Sequence, residues 1–569
     1  MAGSGTLVTK EYKNFRGVDF TNVEVKLYRS PDALNVWRNY KNKGEGITTR
    51  PDIELYQSAD NSVYGLFFYE IHNSFSQLIV HEGTKLYKIV GNTKTQIYTG
   101  MNPKKSQFFV FNNILFIKDG INYLEYNGTT CTEVAGYIPT TSISRTPSGG
   151  GKTYQDVNLL TGCRKNTFVA DGTSTIYHLD AENIDSDFNM VVKVNNVVKT
   201  ITTDYTVNYT RGEVTFTTAP AAPDTDGQDN VEITYRKTIT GHRDRINKCT
   251  MLEVFDNRVF FSGNQDYPNV LFHSSLENPR YVSDLDYYNE GMDLSPIKAL
   301  IAGNNALWVV KEPSQSNNTV FYHIPTTDSE YGQIYPNSHS NIATGCIATG
   351  INFNDDIVFF SDSGMESITG DITTEQLLSH KSIMVDSKLL SETNYSKMIL
   401  EEWEGYLLVF IDKKVFLADS RGVFTNVDHN EYEWFYWELG KSVTCTRVKN
   451  GVLYLGTTDG IYTLTKTTNL TINSYWTTPF DEFGYPQMQK ITNKRGCVAD
   501  MEGEKIKVDV KVDNKPFVTI KEYTNTKGYV VPRVKKKKWK GIQIKFYSDK
   551  PFSLYSCTLE SYIGSYVKR

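Results

Sequence analysis

The sequence lacks any cysteine pair at metal or redox spacing. Its seven cysteines, at 131, 163, 249, 346, 445, 497 and 557, are scattered through 569 residues. An odd and dispersed set excludes a disulfide framework and a zinc ribbon, and it predicts buried free thiols in a protein assembled under reducing conditions. There is no HExxH helix, no P-loop and no GxSxG elbow, and the nine histidines are dispersed. No apolar run approaches the ~18–20 residues of a membrane span. The opening residues MAGSGTLVTKEYKNF lack the apolar core of a secretory signal, so no membrane-spanning segment and no Sec export are expected. A net charge of −5 gives no bulk attraction to nucleic acid. With so little chemistry present, the chain reads as a non-enzyme with no catalytic residue, no metal and no cofactor.

What the chain does have is aromatic, β-forming sequence: 37 Tyr and 29 Phe, with 39% hydrophobic and 22% charged residues overall. Such residues suit pleated, half-buried surfaces. The pattern is plainest over Ser106–Val134, SQFFVFNNILFIKDGINYLEYNGTTCTEV. Here apolar runs alternate with Asn112-Asn113, Asp119-Gly120 and Asn127-Gly128, pairs that accept the positive φ of tight hairpins. The same phrase recurs with second-strand anchors at Phe260, Leu307, Val358, Leu408 and Leu453, at steps of about 47, 51, 50 and 45 residues, and an earlier copy lies around Leu78–His81. Steps of that size are those of four-stranded propeller blades. The larger step from Leu115 to Phe260 predicts an insertion. The fold expected is therefore all-β: a β-propeller of about seven blades, with an inserted immunoglobulin-like β-sandwich and a C-terminal β-sandwich.

The expected divisions are an arm over 1–56, first blades over 57–140, the inserted sandwich with its linkers over 141–248, the remaining blades over 249–466, and the C-terminal sandwich over 467–569. The arm either closes the propeller with a missing strand or reaches a neighbouring subunit. Within it, Ala33–Tyr40 is a candidate short helix capped by Ser30 or Asp32. Thr141–Lys152, with Gly149-Gly150-Gly151, reads as a flexible exit linker. Thr373–Leu390 reads as a loop insertion with one or two short helices. Asp284 with Asp286 and Asp355 with Asp356 are candidate cation holders, although paired acids at strand ends are more often turn-formers. Glu401-Glu402 and Glu431 with Glu433 are weak glycosidase pairs, since that chemistry depends on carboxyl separation. The run Lys535, Lys536, Lys537, Lys538, Trp539, Lys540 is either an edge strand blunted by charge or a cationic band for phosphates or an acidic partner.

Several phrases carry a family resemblance. The arm phrase SPDALNVWRNYKNKGEGITTRPDIE places Asn35 before a Gly-containing turn (Gly44 or Gly46) and the pair Arg50-Pro51. FDNRVFFSGNQDYPNVLFHSSLENPRYV (255–282), SYWTTPFDEFGYPQMQK (474–490) and KKWKGIQIKFYSDKPFSLYSCTLE (537–560) follow in order. Together they resemble phage tail nozzle proteins, also called tail tubular B or stabilisation proteins. The resemblance implies a virion structural protein of the viral tail. It would be assembled in the host cytoplasm as a homo-oligomeric ring, six-fold by expectation, forming part of the DNA-ejection conduit. Its implied partners are other copies of itself, neighbouring tail or neck proteins, and genomic DNA in transit. Asn35, Arg38, Arg50 and Pro51 become candidate intersubunit arm residues, and a truncation of Met1–Arg50 is expected to weaken assembly while sparing the propeller. The arm has no Gln-Gln-Pro phrase of the podovirus kind. A head-completion or capsid-associated role, or a receptor-binding propeller, is the alternative.

Overall fold

The computed structural model describes residues 6–41, 46–71, 75–314, 318–329, 332–369, 377–421, 431–465, 471–534 and 538–566. The chain is a β-propeller, and seven four-stranded sheets are its blades. Blade 1 spans 63–99, blade 2 107–133, blade 3 251–289, blade 4 297–339, blade 5 350–380 and blade 6 399–438. Blade 7 combines Val443–Lys449, Val452–Thr457 and Gly460–Thr465 with the early strand Asp52–Ser58. Each anchor expected from the sequence falls on the second strand of its blade.

Those second strands explain the repeat. Ala306–Lys311 and Tyr406–Ile411 are buried at every position, as is Val270–His273, the third strand of blade 3. A strand covered on both faces reads as a continuous apolar run rather than an alternating one. Each such Val, Leu, Ile or Phe withdrawn from water contributes about 1.5–3 kcal/mol before the entropy of ordering is counted. The turn from first to second strand is a two-residue hairpin with φ positive at both positions. It recurs at Asn112-Asn113, Asp256-Asn257, Asn304-Asn305, Asn354-Asp355, Glu404-Gly405 and Asn450-Gly451. Among two-residue hairpin turns type I′ has that signature, and Asn, Asp and Gly adopt it at least cost.

The chain divides into two compact units, one of 1–68, 80–83 and 340–569, the other of 69–79 and 84–339. In the first, the leading strands of blades 5, 6 and 7 touch in sequence, as sheets radiating from an axis require. This unit also holds a nine-stranded sheet built from both ends of the chain. Its longest members are Met488–Val512 and Phe552–Tyr566, whose register shifts at several points. Val518–Val530, Ile542–Ser548 and Ser474–Thr477 add to them. The remaining strands come from the arm: Thr6–Lys13, Ala33–Leu34, Val36–Trp37 and Ile47–Thr49. The arm is thus strand rather than helix over 33–37. Ser30 caps nothing helical; its hydroxyl donates to the carbonyl of Thr477 at 2.7 Å. The expected loop insertion at Thr373–Leu390 is instead the fourth strand of blade 5, Leu377–His380, followed by a single helical turn at Asp386–Leu389; residues 373–376 lie outside the described set.

In the second unit the leading strands of blades 2, 3 and 4 likewise touch in order. The insertion between blades 2 and 3 is a two-sheet sandwich. Six strands, including Cys163–Phe168, Val191–Val194 and Val231–Arg236, face three more, Ile176–His178, Glu213–Phe216 and Tyr205–Asn208. Its core is its own: Phe168, Tyr177, Val192, Tyr205, Val214, Phe216, Ile233 and Tyr235. Thr141–Lys152 is no linker. Thr140–Arg145 pairs in parallel with Cys163–Phe168, and Gly149–Gly151 close a tight turn back to Lys152–Thr153. None of the seven cysteines is in a disulfide; five are buried and Cys131 and Cys163 half-buried.

Candidate functional site

The resemblance-bearing residues of the arm converge within the first unit on a clasp against blade 6 and the nine-stranded sheet. Asn35, in the left-handed region at φ 55°, breaks the arm between two strand pairs. A short polar side chain tolerates that conformation because it can bond locally. Its backbone N–H donates to the Tyr436 carbonyl at 2.9 Å and its Nδ2 to the Asn473 carbonyl at 2.8 Å. Its Oδ1 accepts from the Glu438 backbone N–H at 2.8 Å and from Arg50 Nε at 2.9 Å. Arg50 continues the web, donating Nη1 to the Pro51 carbonyl at 2.7 Å and Nη2 to the Glu438 carbonyl at 2.9 Å. Burial lowers the Arg50 guanidinium to about 10, so it stays charged at neutral pH. Pro51 itself lines a groove of about 340 Å³ with Trp37, Trp403, Val452 and Leu464.

A second set of contacts surrounds Arg38. Its guanidinium meets Glu433 and the Tyr40 hydroxyl, with Asp419 Oδ2 at 4.0 Å. Arg421 bonds Asp419 at 3.1 Å and sits over the Tyr40 and Tyr406 rings, 4.2 and 4.1 Å from their centroids. Burial pushes the Glu433 carboxyl up to about 7 against the pull of Arg38. Beside these charges lies an aromatic core: Trp37 contacts Trp403 and Trp437 at 5.6 Å and Tyr406 at 5.2 Å. Pairs of this kind add about 0.5–1.5 kcal/mol each beyond their buried area. At Gly17 (φ 85°) the arm runs so close to blade 6 that a Cβ would lie 2.1 Å from the Trp434 carbonyl oxygen.

Asn35, Arg38 and Arg50, expected at a subunit boundary, are therefore buried in contacts within their own chain, with Pro51 half-buried beside them. The arm also does what the first sequence alternative proposed, since Asp52–Ser58 closes blade 7. Sequence reading missed the partners Asp419, Arg421, Trp437 and Glu438, which are separated from the arm by nearly four hundred residues and carry no local signal. Glu433, weighed as an acid catalyst, is the counter-charge of Arg38.

The lysine run is not a continuous strand. Trp539 is fully buried and forms an isolated bridge with Lys490, leaving Lys538 and Lys540 exposed on either side. Lys535, Lys536 and Lys537 lie outside the described residues. Asp355 is half of a blade turn, and Asp356 accepts from the Tyr432 hydroxyl at 2.7 Å. Burial raises Asp284, and lifts Asp286 to about 6, with Asp156 adding to both. Glu401 accepts from Thr446 at 2.8 Å while Glu402 is exposed. Among the described residues no group of three acidic, His or Cys side chains is placed to hold a metal ion, and no helix is long and apolar enough to cross a membrane.

No family model matches the sequence, and no curated protein matches it. Solved structures that align with it include BamB from Moraxella catarrhalis, at 9% identity over 76% of this chain and 96% of that one, TM-score 0.33. BBS1N in complex with ARL6DN aligns at 10% identity over 74% and 98%, TM-score 0.27. An exo-β-1,3-galactanase from Phanerochaete chrysosporium aligns at 10% over 54% and 94%, TM-score 0.21. Likeness at this level carries nothing about function, and the propeller is read here from the sheets themselves.

Proposed function

We propose that this chain is a structural protein of a bacteriophage virion, a tail nozzle subunit that forms a ring around the DNA-ejection conduit and anchors neighbouring tail components. The observation that supports this most is the clasp. The arm phrase that resembles the nozzle family is the same segment that locks blade 6, the closing strand of blade 7 and the C-terminal strands together through Asn35, Arg38 and Arg50. A conduit subunit performs no covalent chemistry. It has to stay stiff while DNA passes, and ties between residues at opposite ends of the sequence oppose unravelling from either terminus. The mild net charge of −5 suits a wall that should not grip phosphates. Its partners would be further copies of itself, tail or neck proteins, and DNA in transit, in a particle assembled in the host cytoplasm.

Electron microscopy and light scattering of the purified protein test this. The expected result is a six-fold ring with the mass of six 64.7 kDa chains. A twelve-fold or five-fold ring would favour head completion or a capsid position. A monomer or trimer that binds glycans would favour a receptor-binding propeller.

A further inference from the structure

Four strands of the nine-stranded sheet follow one another in the order Thr6–Lys13, Phe552–Tyr566, Met488–Val512, Val518–Val530, each antiparallel to the next, with the outer two staggered: Thr6–Lys13 lies beyond residues 490–500 of the long strand and Val518–Val530 beside residues 499–510. Among the described strands, Thr6–Lys13 pairs only with Phe552–Tyr566, and Val518–Val530 pairs only with Met488–Val512. The ribbon therefore presents two outer edges, one of 8 residues and one of 13. Open edges of that length are templates for another strand, and native proteins blunt them with lysine, proline, bulges or short strands. Neither edge strand contains a proline; each carries two lysines, Lys10 and Lys13 on one and Lys521 and Lys527 on the other, and remains long.

The polarity of the two edges is informative. Across an even number of antiparallel strands the outermost two run in opposite directions. A head-to-tail operation that preserves strand direction then sets the 518–530 edge of one copy antiparallel to the 6–13 edge of the next, which is the arrangement a ladder accepts. The contact is heterologous and repeats without alteration, and such a contact gives a ring where its rotation closes and a filament where it does not; the six-fold ring proposed above is the closed case. A two-fold contact would pair like edge with like edge and leave the other kind open.

Side chains beside these edges point the same way. Leu7, Tyr562 and Ile491 are cross-strand neighbours in register, 46%, 42% and 43% exposed, and form an apolar row running inward from the short edge. On the long edge strand Val518 is 48% exposed and Tyr529 76% exposed. Exposed apolar rows beside an open edge mark surfaces that another chain covers.

We propose that neighbouring copies join by strand addition, Val518–Val530 of one chain against Thr6–Lys13 of the next, so that one antiparallel sheet runs through the assembly. The pairing presupposes the ring of the preceding subsection and names its interface. The test uses the full-length chain with Thr9→Cys, Thr519→Cys, Glu522→Cys, Thr524→Cys or Lys527→Cys alone, and with Thr9→Cys combined in turn with each of the others, under mild oxidation. Circular dichroism checks that each variant is folded. Expected is a ladder of disulfide-linked multimers in at least one double variant and none in any single variant. Expected also is backbone hydrogen exchange slowed at least about tenfold over 6–13 and 518–530 in the assembled form. Crosslinking by a single variant at 519–527 would reveal a two-fold contact and overturn the proposal. Rings with neither crosslinks nor protection at these edges would overturn it while leaving the ring intact. A monomer at all concentrations would remove the ring and this interface together.

Discussion

The inserted sandwich and the arm-clasped C-terminal sheet are both layers of β-strands over apolar interiors, yet they close on different scales. Every strand of the sandwich comes from residues 140–236, and neighbours such as Val191–Val194 and Val197–Lys199 are joined by a two-residue turn. In the C-terminal sheet, Thr6 lies opposite Ile563 and Ala33 opposite Trp476. The sandwich has a private core, whereas the sheet shares one continuous cluster with the arm and with blades 5, 6 and 7. Locally closed structure can fold as a module, while structure closed across the whole chain is stable only when both ends are present.

The strongest way to break this contrast is to cut the modules out. A fragment of 139–238 is expected to give dispersed NMR signals and a cooperative melt. A fragment of 471–566 is expected to remain largely unstructured until a peptide of 6–50 is added in trans. The structure thus revises the expectation that truncating Met1–Arg50 spares the propeller. That deletion removes Phe15, Val18 and Trp37 from the shared core and bares the strands they cover, so it should lower thermal stability as well as assembly.

Single side chains sharpen the comparison. Trp37→Ala should cost about 3–5 kcal/mol, as removal of a buried aromatic does, and should move the main denaturant transition. Tyr177→Ala should act on the sandwich's own transition and leave the main one in place. Arg50→Ala strips hydrogen bonds from Asn35, Pro51 and Glu438 at once. Bonds to a charged group are worth about 1.5–3 kcal/mol each, and their loss is only partly additive, so a fall of about 3 kcal/mol is expected in chemical denaturation. Arg50→Lys should recover little of it, since one ammonium cannot span three acceptors.

The smallest effect expected is one of pH. His380 bonds Asp386 at 2.6 Å and Glu366 at 2.8 Å, and these carboxylates raise its imidazole to about 10. Its protonated form is thereby favoured in the folded state. The stabilisation is complete below the ordinary histidine pKa of about 6.5 and is lost as pH rises through about 10. Thermal melts should therefore decline across that window, and His380→Gln should flatten the decline. The isolated sandwich, melted in parallel, is the control.

What the sequence disclosed follows the same division. The blades were legible because each second strand is a short apolar run, and Leu115, Phe260, Leu307, Val358, Leu408 and Leu453 all lie on one. The sandwich strands at Val191–Val194, Tyr205–Asn208 and Val231–Arg236 were legible because Asn195-Asn196 and Gly212 punctuate them locally. A sharper signal went unused: the hairpin pairs from Asp256-Asn257 to Asn450-Gly451 repeat once per blade and mark the period more firmly than the apolar residues do. The arm was not legible. Ala33–Tyr40 looks helical on spacing alone; pairing with Tyr475-Trp476 and Thr48-Thr49, together with the carbonyls of Tyr436 and Asn473 from far along the chain, holds residues 33–37 extended. For the same reason the arm residues were recognised as a group without the partners they touch: nothing near Arg50 in sequence names Glu438.

Blade 7 has a consequence for synthesis. Its outermost strand, Asp52–Ser58, is translated about 400 residues before Gly460–Thr465, the strand it joins. At ~5–20 residues per second the ribosome needs roughly 20–80 s to bridge that gap. Through that interval the nascent polypeptide carries an unmatched strand at its front, a lure for holdase chaperones and for neighbouring nascent chains on the same polysome. Docking of that strand can occur only in a polypeptide that is nearly finished, so truncated products of aborted translation never complete blade 7.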